Sequence, residues 1–119
     1  MRHNESRVQR ASVRWFRLQY PELSYLLFSV PNGIYTTEVQ GRIAKEEGMV
    51  AGVSDLLLLH PSGDGAFHGL CIEFKTPKGR QSDNQIRWQH EVEKAGYKYV
   101  VVRSFDDFLR EIASFLKKF

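Results

Sequence analysis

Apolar residues in this chain follow two spacings, and the switches between them mark its elements. Val8, Ala11, Trp15 and Leu18 recur at helical spacing, and Asn4 or Ser6 can cap the helix they predict, which runs to about Leu18 and is ended by Pro21. Leu26 to Val30 is a compact apolar strand stopped by the turn residues Pro31-Asn32-Gly33. A weaker helical pattern runs from Thr36 or Thr37 to Glu47 and stops at Gly48. Two short apolar strands follow, Asp55 to Leu59 and Leu70 to Lys75; the turn formers Pro61-Ser62-Gly63-Asp64-Gly65 between them predict a hairpin. Ser82 opens a third helix reaching Ala95, with Gly96 as its stop, and the Val- and Tyr-rich run from Tyr97 to Arg103 predicts a strand. A last helix is expected from about Asp106 to Lys118, its apolar stripe marked by Phe108, Ile112, Phe115 and Phe119. The order α-β-α-β-β-α-β-α predicts an α/β fold, a small mixed central sheet flanked by helices.

The hairpin carries the chemistry. Side chains alternate along a strand, so Glu73 and Lys75 emerge on one face while Phe74 points to the other. Pairing the two strands then brings the Asp55 carboxylate beside Glu73. Two carboxylates and an ammonium are costly to desolvate on an apolar hairpin, and a divalent metal would relieve the repulsion between the acids. Metal-assisted phosphodiester hydrolysis calls for such a set. Asp55 and Glu73 would supply hard oxygen ligands for Mg²⁺ or Mn²⁺, and the backbone carbonyl of Phe74 a third. Lys75 would orient or activate the attacking water and offset developing negative charge. The competing reading is a plain salt bridge between Lys75 and one acid at a strand end. Asp55 at a hairpin-compatible position favours the site.

Composition narrows the setting. At 119 residues with 42% hydrophobic content, the chain is expected to form one domain, 1–119, with a real core. No apolar run approaches the roughly 18 residues of a membrane span, and the charged N-terminus leads into no signal core. The single cysteine, Cys71, fits a reducing, cytoplasmic setting. Net charge is +3, and the placement of the basic residues says more than their number. Arg2, Arg7, Arg10, Arg14 and Arg17 run along the first helix, while Lys75, Lys78 and Arg80 cluster just after the second hairpin strand. Both groups could meet phosphates. The loop from Thr76 to Ser82 leads into a helix N-terminus, where Lys78, Arg80 and Ser82 could grip the backbone of a DNA strand. His60 and His68 flank the hairpin turn without further ligands at zinc spacing.

Taken together, Gly52-Val53-Ser54-Asp55, Ile72-Glu73-Phe74-Lys75 and Gln85 on the next helix resemble the PD-(D/E)xK nuclease superfamily. More narrowly, the chain is similar to the VRR-NUC family, the virus-type replication-repair nucleases. That family's pattern has a glutamate on an N-terminal helix, a Gly-x-x-Asp strand start, a Glu-x-Lys strand and a following Gln. Glu5, Asp55, Glu73, Lys75 and Gln85 occupy those places over nearly the whole chain, with Ser54 where the superfamily usually has proline. The resemblance implies a restriction-endonuclease-like fold and divalent-metal-dependent cleavage of DNA that leaves a 5′-phosphate. It also implies a preference for branched substrates: stand-alone members resolve Holliday junctions as homodimers, and others act on flaps. With no appended domain, the stand-alone type is the expected one. Glu5 could take a second metal or position Lys75, or simply favour a helix N-terminus. Gln85 could serve the site, or close a capping box with Ser82. For a dimer surface, the C-terminal aromatic stripe and the Phe16, Tyr20 and Tyr25 group are candidates, though each could equally belong to the core. The rival functions are a flap or general nuclease, a non-catalytic DNA-binding module, and an interaction domain in which the charged set is only a salt-bridge cluster.

Overall fold

Four apolar runs become strands: β1 (Leu27–Ser29), β2 (Leu56–Leu58), β3 (Leu70–Phe74) and β4 (Lys98–Val102). In this computed structural model, which describes residues 2–31 and 37–118, they lie side by side in that order. The pairs β1/β2 and β2/β3 are antiparallel, and β3/β4 is parallel. Helices α1 (Arg2–Gln19), α2 (Glu38–Glu46), α3 (Asp83–Lys94) and α4 (Phe105–Leu116) complete the expected order. A parallel neighbour needs a long crossover, and α3 supplies it between β3 and β4. Among the described residues no helix is long and apolar enough to cross a membrane.

Helix boundaries follow their caps. Thr37, Ser82 and Ser104 each accept a hydrogen bond from the backbone N–H three residues on, at Gln40, Gln85 and Asp107. Gly96 follows α3 at φ +96°, the left-handed turn expected of a helix stop. Two features differ from expectation. A short 3-10 helix, Pro21–Leu26, occupies the stretch between α1 and β1, because proline opens a tight turn as readily as it ends a longer helix. The last helix also ends at Leu116, short of Lys118. Of the expected turn at 31–33, Asn32 and Gly33 lie outside the described residues, as do the alternative helix start Thr36 and the last stripe position Phe119.

One face of the sheet is closed and apolar. Leu27, Leu56, Leu58, Leu70, Ile72 and Phe74 join Phe16 of α1 and Phe108, Ile112 and Phe115 of α4 in a single buried cluster. Phe74 stacks on Phe108 at 6.1 Å between ring centroids, and Trp15 meets Phe108 edge-on at 6.2 Å. Burying one such side chain contributes roughly 1.5–3 kcal/mol, which makes this face the mainstay of the fold. It also corrects one expectation and decides one alternative. The inward side of α1 carries Ser12 and Phe16, whereas Leu18 is 73% exposed and Ala11 faces solvent. Phe16 and, on α4, Phe108, Ile112 and Phe115 are core and not partner surface, while Tyr25 is 98% exposed.

Under α3 the other face is smaller and more polar. Glu73 and Tyr99 lie there, the latter edge-on to Trp88 at 6.2 Å. Around the hairpin turn, Asp64 accepts from Ser62 Oγ and the Ala66 N–H, which explains the Gly63-Asp64-Gly65 segment as turn structure. His60 turns to the Pro61 carbonyl while His68 packs on Tyr97, so the two histidines have separate partners.

Candidate active site

Asp55 sits in a bend one residue before β2, and its carbonyl accepts from Val30 N–H just beyond β1. Its side chain reaches across the hairpin: the Phe74 N–H donates to Asp55 Oδ2 at 2.7 Å. The alternation along β3 sends Phe74 into the apolar core and Glu73 to the opposite face. There Gln85 Nε2 donates to Glu73 Oε2 at 2.9 Å, and Lys75 Nζ stands 4.0 Å from the same oxygen. Glu5 and Gln9, one turn apart on α1, line the same pocket of about 620 Å³. Asp55, Glu73, Lys75, Glu5 and Gln85, from four separate stretches of chain, therefore share one cavity, with Ser82 on its rim.

The electrostatics are those of a crowded acid pair. Glu73 is only 3% exposed, and its other carboxyl oxygen, Oε1, is buried without a hydrogen-bond partner. Burial, then the Asp55 charge, push its pKa from 4.5 up to about 8; Lys75 opposes the rise and Glu5 adds to it. Protonation of Glu73, which its raised pKa favours, relieves the repulsion between the two acids. A divalent cation would relieve it more fully, and an all-oxygen donor set with an orphaned buried oxygen suits Mg²⁺ or Mn²⁺. Among the described residues no three His, Cys, Asp or Glu gather into a ready-made metal cluster. Beneath them, burial pushes the Cys71 thiol up to about 11, which marks it as an inert core residue.

Of the two alternatives for Gln85, the capping box is present, and the same amide also reaches Glu73. Its Oε1 accepts from Ser82 N–H at 2.8 Å and closes the capping box, while its Nε2 bonds Glu73. An amide has an acceptor and a donor end, and each end does one task. The helix start is thus tied to the carboxylate. Gly52 brings the Asp55 segment against this helix. Its φ is +91°, and a Cβ there would lie 2.3 Å from the Asn84 carbonyl oxygen.

Lys78 and Arg80 are exposed on the loop beside the pocket and do not line it. What holds that loop is Arg103, which no motif or spacing singles out. Its guanidinium donates to the Thr76 and Gly79 carbonyls, both at 2.7 Å. Gln9 is the other residue missed as a site member, although its spacing from Glu5 was a visible signal.

A hairpin that pairs two acids, a Glu-x-Lys strand end and a helix-borne glutamine, on a mixed sheet flanked by helices, defines a nuclease domain of the PD-(D/E)xK type. The comparisons agree. The VRR-NUC domain matches residues 3–106. A solved structure described as a VRR_NUC domain protein superposes with a TM-score of 0.80 at 25% identity, covering 93% of this chain and 86% of that one. A comparison with curated proteins finds no match. The chain belongs to the VRR-NUC family.

Proposed function

We propose that the protein is a divalent-metal-dependent DNA endonuclease that selects branched DNA, in particular four-way junctions, and works as a homodimer. The observation that carries the reading is the buried Glu73 carboxylate, held against Asp55 with one oxygen unserved by any protein group. A purely structural salt bridge to Lys75 needs one acid and leaves no buried carboxyl oxygen without a partner.

Asp55 and Glu73 would hold Mg²⁺ or Mn²⁺. A residue's N–H and C=O leave a strand on the same side, so the Phe74 N–H bond to Asp55 supports its carbonyl as a further ligand. When bound, the metal supplies charge that activates water and stabilises the phosphorane-like transition state. Gln85 fixes the Glu73 carboxylate, and the Lys75 ammonium beside it orients the water and offsets charge on the attacked phosphate. Glu5, which lines the same pocket, would steer Lys75 or take a second ion. Lys78, Arg80 and Ser82 would grip phosphates next to the cut. Hydrolysis breaks the P–O3′ bond, and the departing 3′-oxygen takes up a proton. One chain offers one such pocket, so paired cuts across a junction call for two copies. One domain over 1–119 and a cytoplasmic location complete the reading.

The test is cleavage of labelled junction, flap, single-stranded and duplex DNA in Mn²⁺, Mg²⁺ or EDTA. Asp55→Asn and Lys75→Ala should each lower the rate at least about 10²–10³-fold while DNA binding persists. Equal cutting by wild type and Asp55→Asn would overturn the assignment. Preferential cutting of flaps would retain the nuclease and replace the junction as substrate.

A further inference from the structure

A second groove opens beside the carboxylate pocket. It has a volume of about 690 Å³ and runs between α1 and the edge strand β1. The two cavities share Gln9 and Ser29, so they are continuous. Arg10, Arg14 and Arg17 line the groove, all three exposed and none in an ion pair with an acid among the described residues. Spacings of four and three residues put them on one helix face. From Arg10 to Arg17 the helix rises about 10 Å, at 1.5 Å per residue. A strand of duplex DNA carries a phosphate about every 3.4 Å along its axis, so three cations meet about three phosphates. Arg17 suits the C-terminal turn of α1, but no acid among the described residues accounts for Arg10 or Arg14. Like charges on one face cost the helix a little stability.

We propose that this groove is a second nucleic-acid site: it holds one strand of a DNA arm by its phosphates, on the side of the cut opposite the Lys78–Arg80 loop. The inference rests on the nuclease reading for the word "cut", but its charge complementarity stands independently. Together with Lys75 and Arg103, Arg7 lines another cavity, which adjoins the carboxylate pocket at Glu5 and Lys75 and shares no residue with the arginine groove. The acids therefore lie between two basic tracks. A strand following both would cross the pocket midway, where a phosphate would meet Asp55 and Glu73. Arginine suits this role, since its planar fork can engage one phosphate through two donors.

The experiment uses Arg10→Gln/Arg14→Gln/Arg17→Gln in the full chain, beside Arg42→Gln/Lys45→Gln/Lys118→Gln, which removes the same charge elsewhere on the surface. Binding of labelled single-stranded DNA is followed by anisotropy in EDTA across a salt series, with thermal melting to confirm folding. The groove variant should bind at least about tenfold more weakly, with a log K–log salt slope shallower by about 2. The control should change far less. Equal effects from the two variants would show net charge alone at work and overturn the groove. So would unchanged binding by a folded groove variant. Cleavage measured in parallel separates the two ideas. Wild type that cuts, with an unaltered groove variant, sinks the groove and leaves the nuclease. Wild type that never cuts, with binding lost in the groove variant, does the reverse.

Discussion

The two faces of the sheet are built to opposite rules. Toward α1 and α4, strand residues from Leu27 to Val102 bury apolar side chains against phenylalanines, and nothing on the strands of that face asks for a hydrogen bond. Toward α3, the same strands bury an acid, and one of its oxygens, Glu73 Oε1, lacks a partner. Burial and the nearby Glu73 charge keep the Tyr99 hydroxyl protonated, its pKa raised well above the ordinary range. A buried unsatisfied polar group costs about 1–3 kcal/mol. The first face thus supplies stability that the second can forgo, and the polar misfit persists where a ligand would complete it.

Mutation should divide the faces sharply. Phe74→Ala would remove a ring stacked on Phe108 and leave a cavity at the centre of the closed face, lowering unfolding free energy by about 3–5 kcal/mol. Denaturant titration measures it. Glu73→Gln lies next door in sequence and should have the opposite sign in metal-free protein, a gain on the order of 1–3 kcal/mol near pH 8. A loss of stability in Glu73→Gln would show that the acid, ionised, is already well served by the protein.

The pH dependence sharpens the same contrast. Glu73 titrates near 4.5 when unfolded and near 8 when folded. Between those values the native state binds more protons, so this group's contribution to stability is full below about pH 4.5 and is lost as pH rises through about 8. Melting temperature of the metal-free protein should therefore fall over that window, and Glu73→Gln should flatten the fall. Added Mg²⁺ should raise the melting temperature most at the alkaline end, since a cation that binds only the folded state stabilises it by mass action. A flat wild-type profile would place the carboxylate in a less hostile setting than its burial implies.

The difference between the faces also explains what could be read from the chain. Strand alternation put Glu73 and Lys75 opposite Phe74 from sequence alone, because the two-residue period admits no other arrangement. The acid pair was legible for the same reason, once a hairpin turn joined the strands. Along α1 the helical period was visible but its direction was not. Ser12 and Phe16 face inward, and the small hydroxyl at Ser12 hid that stripe behind the apolar look of Ala11 and Leu18. Gln85 seemed to require a choice between cap and site because sequence does not show which end of an amide points where. Arg103 was invisible for a different reason: its partners are carbonyls 24 to 27 residues away, and a carbonyl carries no sequence signal.

That last residue offers the smallest and most local test. Arg103 leaves β4 and fastens the turn between Thr76 and Gly79, so it acts on Lys78 and Arg80 through the loop that bears them. Lysine cannot reproduce the fork that reaches two carbonyls, while alanine loses both bonds. Arg103→Ala should raise amide exchange at Gly79 and weaken DNA binding a few-fold, the loss of about 1 kcal/mol of ordering. KM should rise with kcat little changed, because Asp55, Glu73 and Lys75 keep their own supports. Arg103→Lys should fall between wild type and alanine. If exchange at Gly79 rises while binding is untouched, the loop is held for folding alone, and the phosphate grip must come from the arginines of α1.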